Sequence, residues 1–408
     1  MNIKKIFFVA FILSLELLSV SGLYAAEKII RYEKEAADAI LGNIVKHGGK
    51  ILKKYSVINA ALVYIPDEAA RKLEIRSLRG VRSVEDDEYL YWLDENSFHI
   101  PSARQLKQIA EKTEIPSVSF YSVPVSSKES GKMPYSAGQE IPWGIKRINA
   151  PAAWKKINYS NVRVAVLDTG VNYNHQDLKT VKQGYNSIDP SKPPFDDHGH
   201  GTHVTGTIAA IADGKGVAGV VPGIQLYAVK VLDSAGGGKI SAVASGIEWA
   251  VKNRIDIINM SLSSRWDSAV DDMIKAAYKA GITIVASAGN YGNQVRFPAN
   301  MDETISVGAI GMDDTVPEFS CRGRDLDFVA PGVDIYSTTM DGNWGNNTGT
   351  SMAAPHVAGL AAIAVAAGAK GPEEVKTALK NAASQLPTVP YAIWQGNGLI
   401  DASKITKP

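Results

Sequence analysis

The sequence predicts a three-layer α/β fold, a mostly parallel central sheet flanked by helices, preceded by a small α+β unit. Two observations carry this. Short apolar, β-branched runs recur at Val162–Leu167, Gln225–Val231, Ile255–Met260, Ile282–Ala286 and Ile305–Ala309. Helical stretches stand between them at Gly201–Ala212, Ala242–Asn253, Val270–Ala280 and Met352–Ala367. Strands that are apolar throughout, alternating with helices, argue a parallel sheet buried on both faces. In such sheets functional residues gather at the carboxyl ends of the strands. Asp168 directly follows one strand and Asn290 follows another.

Four segments follow in order. Residues 1–26 read as a secretory signal peptide: a basic head at Lys4-Lys5, a mostly apolar stretch from Ile6 to Leu23, and small residues at Ala25-Ala26. Glu16 inside the apolar stretch argues against a membrane anchor, and no other run is long enough to span a bilayer. Residues 27–93 form the small unit. Lys28–Tyr32 is a strand and Glu35–Lys46 has helical spacing. Lys50–Val63 reads as strand, turn, strand. Pro66–Leu78 is a second helix opening on acidic residues, which suit a helix N-terminus, and Val81–Asp87 is a last strand. Residues 94–137 are linker-like, with Pro116, Pro124, Pro134 and a stretch from Ser126 to Met133 that has almost no apolar content. Residues 138–408 carry the alternating pattern.

The chain has 408 residues, 45% of them apolar, and a net charge of +1. That charge implies no polyanion, so nucleic acid is not an expected partner. The one cysteine, Cys321, rules out an intrachain disulfide. A secreted chain of this kind takes its stability from packing or bound metal, and Cys321 reads as a packed thiol rather than a nucleophile.

Three stretches carry chemistry: Asp168-Thr169-Gly170, His200-Gly201-Thr202-His203 and Gly349-Thr350-Ser351-Met352-Ala353. They supply an acid, a base and a nucleophile, in the order Asp, His, Ser. A serine hydroxyl is a weak nucleophile until an imidazole takes its proton and a carboxylate holds the imidazole's tautomer. Ser351 also opens a helix, whose N-terminal N–H groups favour negative charge. Competing motifs lack their context. Asp168-Thr169-Gly170 has no second such tripeptide to complete an aspartic dyad. Gly214–Gly219 fits a dinucleotide glycine pattern but follows a helix rather than a strand. His198, His200 and His203 suggest zinc, but the spacing and the missing carboxylate or thiol argue against it.

From about Gln139 to Ile405 the chain resembles the subtilisin-like serine peptidases. The residues that carry the resemblance are Val166–Gly170, His200–Gly206, Ala288-Gly289-Asn290 and Gly349–Ala353. It implies a serine endopeptidase with an acyl-enzyme on Ser351, His200 as general base and acid, Asp168 orienting it, and Asn290 in the oxyanion hole. His203 is left as a packed neighbour. Gly236, Gly237 and Gly238 match one edge of the family's substrate cleft. Ser261, Leu262 and Ser263 match the opposite edge, which flanks the primary specificity pocket. This chain departs from the family in having Ser263-Ser264 where two glycines are usual, and in the shorter segment Tyr291–Arg296. Arg296 stands near the expected pocket floor, where it either favours acidic side chains or points to solvent; the second is the expectation.

The resemblance also implies structural Ca²⁺ held by Gln139, Asp177, Ile211, Asp213, Lys215 and Val217, a set of hard oxygen ligands. No organic cofactor is implied. Residues 28–93 resemble the subtilisin propeptide through the Lys46–Lys50 turn and the Val84–Asp87 ending. The expected protein is therefore a secreted, monomeric endopeptidase made as a self-processed zymogen. Its partners would be protein or peptide substrates and its own propeptide, with no membrane after signal cleavage. Processing is expected near Leu93 or near Ala137. All four catalytic positions are intact, which argues against an inactive scaffold on the same fold.

Overall fold

The computed structural model describes residues 26–66, 73–93 and 138–406. Residues 1–25 of the expected signal peptide and the expected linker at 94–137 lie outside the described residues.

The N-terminal unit contains β1 (Ala26–Tyr32), α1 (Ala37–Lys46), β2 (Lys50–Tyr55), β3 (Ala60–Ile65) and β4 (Val81–Asp86). Its strands form one antiparallel sheet in the order β2-β3-β1-β4. Alternation sends Ile30, Val63 and Ile65 to one face, where they bury with Ile40, Leu41 and Ile44 of α1. The chain leaves α1 through Gly48 at φ +88°. A Cβ on Gly49 would stand 2.5 Å from Ile44 Cγ2, so glycine permits that turn. The second helix expected over Pro66–Leu78 is corrected where the chain is described: Ile75–Ser77 is a single 3-10 turn. Residues 67–72 lie outside the described residues.

The other face of this sheet, with Ile29, Tyr55 and Ala60, joins the core of the larger unit. That unit contains β6 (Arg163–Asp168), β7 (Lys182–Asn186), α2 (His200–Ala209), β8 (Gln225–Lys230), β9 (Gly237–Lys239), α3 (Ile240–Lys252), β10 (Ile257–Met260), α4 (Ser268–Lys279), β11 (Thr283–Ser287), β12 (Thr304–Ile310), β13 (Phe328–Pro331), β14 (Ile335–Thr338), β15 (Trp344–Asn347), α5 (Thr350–Ala366), α6 (Gly371–Ala382), β16 (Ala383–Ser384) and β17 (Leu399–Ile400). A nine-stranded sheet runs β16-β17-β13-β12-β11-β10-β6-β8-β7. Its pairings are parallel except β16 with β17. Every residue of β10, β11 and β12 is buried, as a sheet covered on both faces requires.

Helix α5 crosses one face, against β10 to β13. Its small residues allow close approach: a Cβ on Gly359 would meet Val220 Cβ at 2.5 Å. Residues 350–364 are all buried, so this apolar helix belongs to the protein core. No single helix among the described residues is long and apolar enough to cross a membrane. The carboxyl ends of β6, β10 and β11 lie side by side, which brings Asp168, Ser261 and Asn290 to one edge of the sheet.

Candidate active site

Asp168 ends β6, fully buried. Its Oδ1 and Oδ2 lie 2.8 and 2.9 Å from His200 Nδ1, and Oδ1 also accepts from Thr169 N at 2.7 Å. A carboxylate held in this way keeps Nδ1 protonated and leaves Nε2 as the basic nitrogen. His200 begins α2, directly after Gly199 at φ +107°. Gly201 lets that helix close on β6, since a Cβ there would stand 2.1 Å from Gly170 O. Asp196 braces the turn. Its Oδ1 accepts from Gly199 N (2.9 Å), His198 N (3.0 Å) and Thr169 Oγ1 (2.8 Å), while Oδ2 accepts from Thr202 N at 2.9 Å. Sequence reasoning missed Asp196, although an acidic residue just before a helix start is a capping signal.

Ser351 sits in the first turn of α5, and its hydroxyl donates to Ser261 O at 3.2 Å. Ser261 Oγ donates to Ser351 O at 2.8 Å and accepts from Asn259 Nδ2 at 3.0 Å. The Asn290 side-chain carbonyl accepts from Thr350 N (2.8 Å) and Thr350 Oγ1 (2.9 Å). That orientation puts Nδ2 on the side of Gly349, 3.3 Å from where a Cβ on Gly349 would stand. Thr350 therefore aims the Asn290 amide, a role the sequence did not single out. Helices α2 and α5 pack against each other, so His200 and Ser351 open two neighbouring helices.

His203 is buried, with Nε2 against Ile335 O at 2.9 Å and Gly345 O at 3.2 Å. Cys321 is buried beside Asn293 Oδ1 at 3.3 Å. Burial pushes His356 on α5 down to about 4, a neutral imidazole at ordinary pH.

The glycine strand is occupied. Residues Tyr89–Tyr91 of the N-terminal unit (β5) pair antiparallel with β9 in the register Tyr89↔Lys239, Leu90↔Gly238, Tyr91↔Gly237. Trp92 N and Leu93 N donate to Gly236 O, each at 3.2 Å. Ser263 N donates to Trp92 O at 2.9 Å. The Trp92 side chain is fully buried and its Nε1 donates to Gly238 O at 2.9 Å. One strand of chain is thus held between Gly236–Gly238 and Ser263, which is peptide binding by strand addition. A Cβ on Gly237 would stand 2.1 Å from the Tyr89 hydroxyl, so only glycine leaves that space.

Carboxylates of the N-terminal unit meet the helix starts behind this cleft. Asp87 accepts from Ser241 N (2.8 Å) and Ser241 Oγ (2.7 Å) at the start of α3, and Glu85 accepts from Ser268 Oγ (2.6 Å) at the start of α4. Burial there raises the Asp87 carboxyl above its ordinary range, against the pull of the Ser241 bonds.

Gln139, Asp177 and the 211–217 loop also come together. Gln139 Nε2 lies 2.7 Å from Ile211 O, 3.2 Å from Lys215 O and 3.3 Å from Val217 O. Three carbonyls converge on one side-chain amide, whose Oε1 is the other end of the same group. Buried Asp177 accepts from Val217 N at 2.8 Å. Asp213 is exposed, and its Oδ1 accepts from Lys215 N at 3.2 Å within its own loop. Among the described residues no three His, Cys, Asp or Glu side chains form a metal cluster, so this oxygen set rests largely on the backbone.

Arg296, expected to point to solvent, is half-buried and lines a cavity with Leu90, Tyr91, Ser263, Ser264, Arg265 and Tyr291.

The subtilase family profile matches residues 159–398. The chain is 36% identical over 370 residues to Subtilisin E of Bacillus subtilis (strain 168), an alignment covering 88% of this chain and 83% of that relative. It is 42% identical over 275 residues to Subtilisin of Bacillus pumilus (64% and 98% covered) and 41% identical over 277 residues to Subtilisin Savinase of Lederbergia lenta (66% and 100%). With its parallel sheet and its buried Asp168–His200 pair, the chain belongs to the subtilase family and is a serine endopeptidase.

Proposed function

We propose that Ser351 is the nucleophile, His200 the general base and acid, Asp168 its orienting carboxylate, and Asn290 an oxyanion donor. The observation that carries this is the buried His200 Nδ1 held by both Asp168 oxygens. A substrate strand lies between Gly236–Gly238 and Ser261–Ser263 and presents its carbonyl to Ser351. Ser351 Oγ attacks the carbonyl carbon as its proton passes to His200 Nε2. Negative charge on the carbonyl oxygen is met by Asn290 Nδ2 and the Ser351 N–H at the start of α5. Collapse expels the amine, which takes the His200 proton, and leaves an acyl-enzyme on Ser351. Water, deprotonated by His200, hydrolyses that ester. Asp168 orients and stabilises the imidazolium.

Residues 27–93 act as the propeptide, an intramolecular folding helper and inhibitor whose tail fills the cleft. The strand pairing of Tyr89–Tyr91 with β9 supports this. The secreted enzyme acts as a monomer after losing segment 1–26 and linker 94–137. Gln139, Asp177, Ile211, Asp213, Lys215 and Val217 hold Ca²⁺, which cross-links the start of the enzymatic unit to the 211–217 loop. The carbonyl convergence supports that set.

A fluorophosphonate probe tests the nucleophile. Peptide mapping should place the label on Ser351 in the wild type and find none in Ser351→Ala or His200→Ala; a label elsewhere overturns the assignment.

A further inference from the structure

We infer that Arg296 makes the cavity beside the scissile bond a receptor for an acidic side chain, so that the enzyme cuts after Glu or Asp. This deepens the reading of Ser351 as nucleophile and rests on it. The cavity measures about 240 Å³. It is lined by Ser263-Ser264, the continuation of the edge that binds the docked strand through Ser263 N, by Arg265, Tyr291 and Arg296, and by Leu90 and Tyr91 of the N-terminal unit. Tyr291 directly follows Asn290, which sets the cavity next to the oxyanion donor. The residue whose carbonyl faces Asn290 and Ser351 would offer its side chain to this cavity once the N-terminal unit has left.

Among the described residues the charged lining of the cavity is Arg296 and Arg265, with no carboxylate. Arg265 is paired with Glu88 of the N-terminal unit, a partner that leaves with that unit. The Arg296 stem is fixed against the oxyanion segment. Arg296 N donates to Ala288 O at 3.0 Å, and a Cβ on Gly289 would stand 2.7 Å from Arg296 Cγ. The guanidinium carbon lies 5.1 Å from the Tyr291 ring centroid, and Nε is buried with no hydrogen-bond partner among the described residues. A partly desolvated guanidinium whose donors are not spoken for favours a carboxylate, which can accept two of them at once. An apolar side chain in the same cavity would bury that charge against nothing. The chain's own sequence agrees: the strand that ends the docked segment at Leu93 continues Asp94-Glu95.

The test uses fluorogenic peptides identical except for Glu, Asp, Gln, Leu or Phe before the scissile bond, with the processed enzyme and Arg296→Gly, Arg296→Lys and Arg296→Glu. Glu against Gln isolates charge from shape. Wild-type kcat/KM is expected to favour Glu over Gln by about tenfold or more, the size of discrimination one lost charged contact gives. Rising salt should narrow the gap. Arg296→Lys should retain the preference in part, Arg296→Gly should lose it and gain activity on Leu and Phe, and Arg296→Glu should reject acidic peptides. Equal wild-type rates for Glu and Gln, or a preference for Leu or Phe that survives in Arg296→Gly, overturn the inference while fluorophosphonate labelling of Ser351 leaves the nucleophile standing. Absence of that labelling defeats both.

Discussion

Replacing Trp92 by alanine removes the largest buried contact that the N-terminal tail makes in the cleft. The indole is fully buried and its Nε1 donates to Gly238 O at 2.9 Å, while the backbone bonds of residues 92 and 93 survive the change. A buried aromatic anchor at an interface contributes about 2–4 kcal/mol when truncated. Taking about 3 kcal/mol, the inhibition constant of the separate N-terminal unit should rise about a hundredfold. The substitution leaves the unit's own core untouched, since that core is built from Ile30, Ile40, Leu41, Ile44, Val63 and Ile65 on the other face of its sheet. Circular dichroism of the free unit checks that it still folds. Tyr91, 66% exposed, supplies the control: Tyr91→Ala should shift the constant by no more than about threefold, as exposed positions do. The assay is hydrolysis of a chromogenic peptide titrated with each unit. An unchanged constant for Trp92→Ala, with the fold intact, would refute the claim that the tail is anchored through the Trp92 indole.

Three further outcomes follow from the same structure. Asn290→Leu should lower kcat by about 10²–10³ with little change in KM; the magnitude is that of the reference case, a subtilisin's own oxyanion asparagine, rather than one worked out from these distances. Burial holds His356 near 4, below its ordinary 6.5, so the folded protein stays neutral there while the unfolded chain takes up a proton. That stability is present above the unfolded value and lost as pH falls through the folded one, about 3 kcal/mol between 6.5 and 4. Urea midpoints measured across that range should fall less steeply in His356→Gln. Chelation should lower the melting temperature of the processed enzyme, and Asp177→Asn should largely remove the response to added Ca²⁺; a ligand at a hundred times its dissociation constant contributes about 2.7 kcal/mol.

Most of the fold could be read because its strands are buried on both faces and stand out as apolar runs. The strand expected at Ile282–Ala286 is Thr283–Ser287, and the helix expected from Ala242 starts at Ile240. Helix α5 was legible from its Ala and Gly content. The Ile75–Ser77 turn was not, because three residues with one buried apolar side chain carry no periodicity to mark them off from a longer helix. Asp168, His200 and Ser351 stand out in the sequence because each lies in a glycine-rich context that the proposed chemistry needs. Thr350 and Asp196 do not, because they act through hydrogen bonds to backbone and amide groups that sequence spacing does not encode. The half-burial of Arg296 was not legible either, because nothing local in Tyr291–Arg296 reveals that its stem packs on Gly289 at the edge of a cavity.

The most direct test of the central claim is intact-mass spectrometry of the full-length chain beside Ser351→Ala, each produced with Ca²⁺. The account predicts conversion of the wild type alone to a species cut near Leu93 or near Ala137. Equal processing of both chains, or none in either together with no hydrolysis of a peptide substrate, would contradict it.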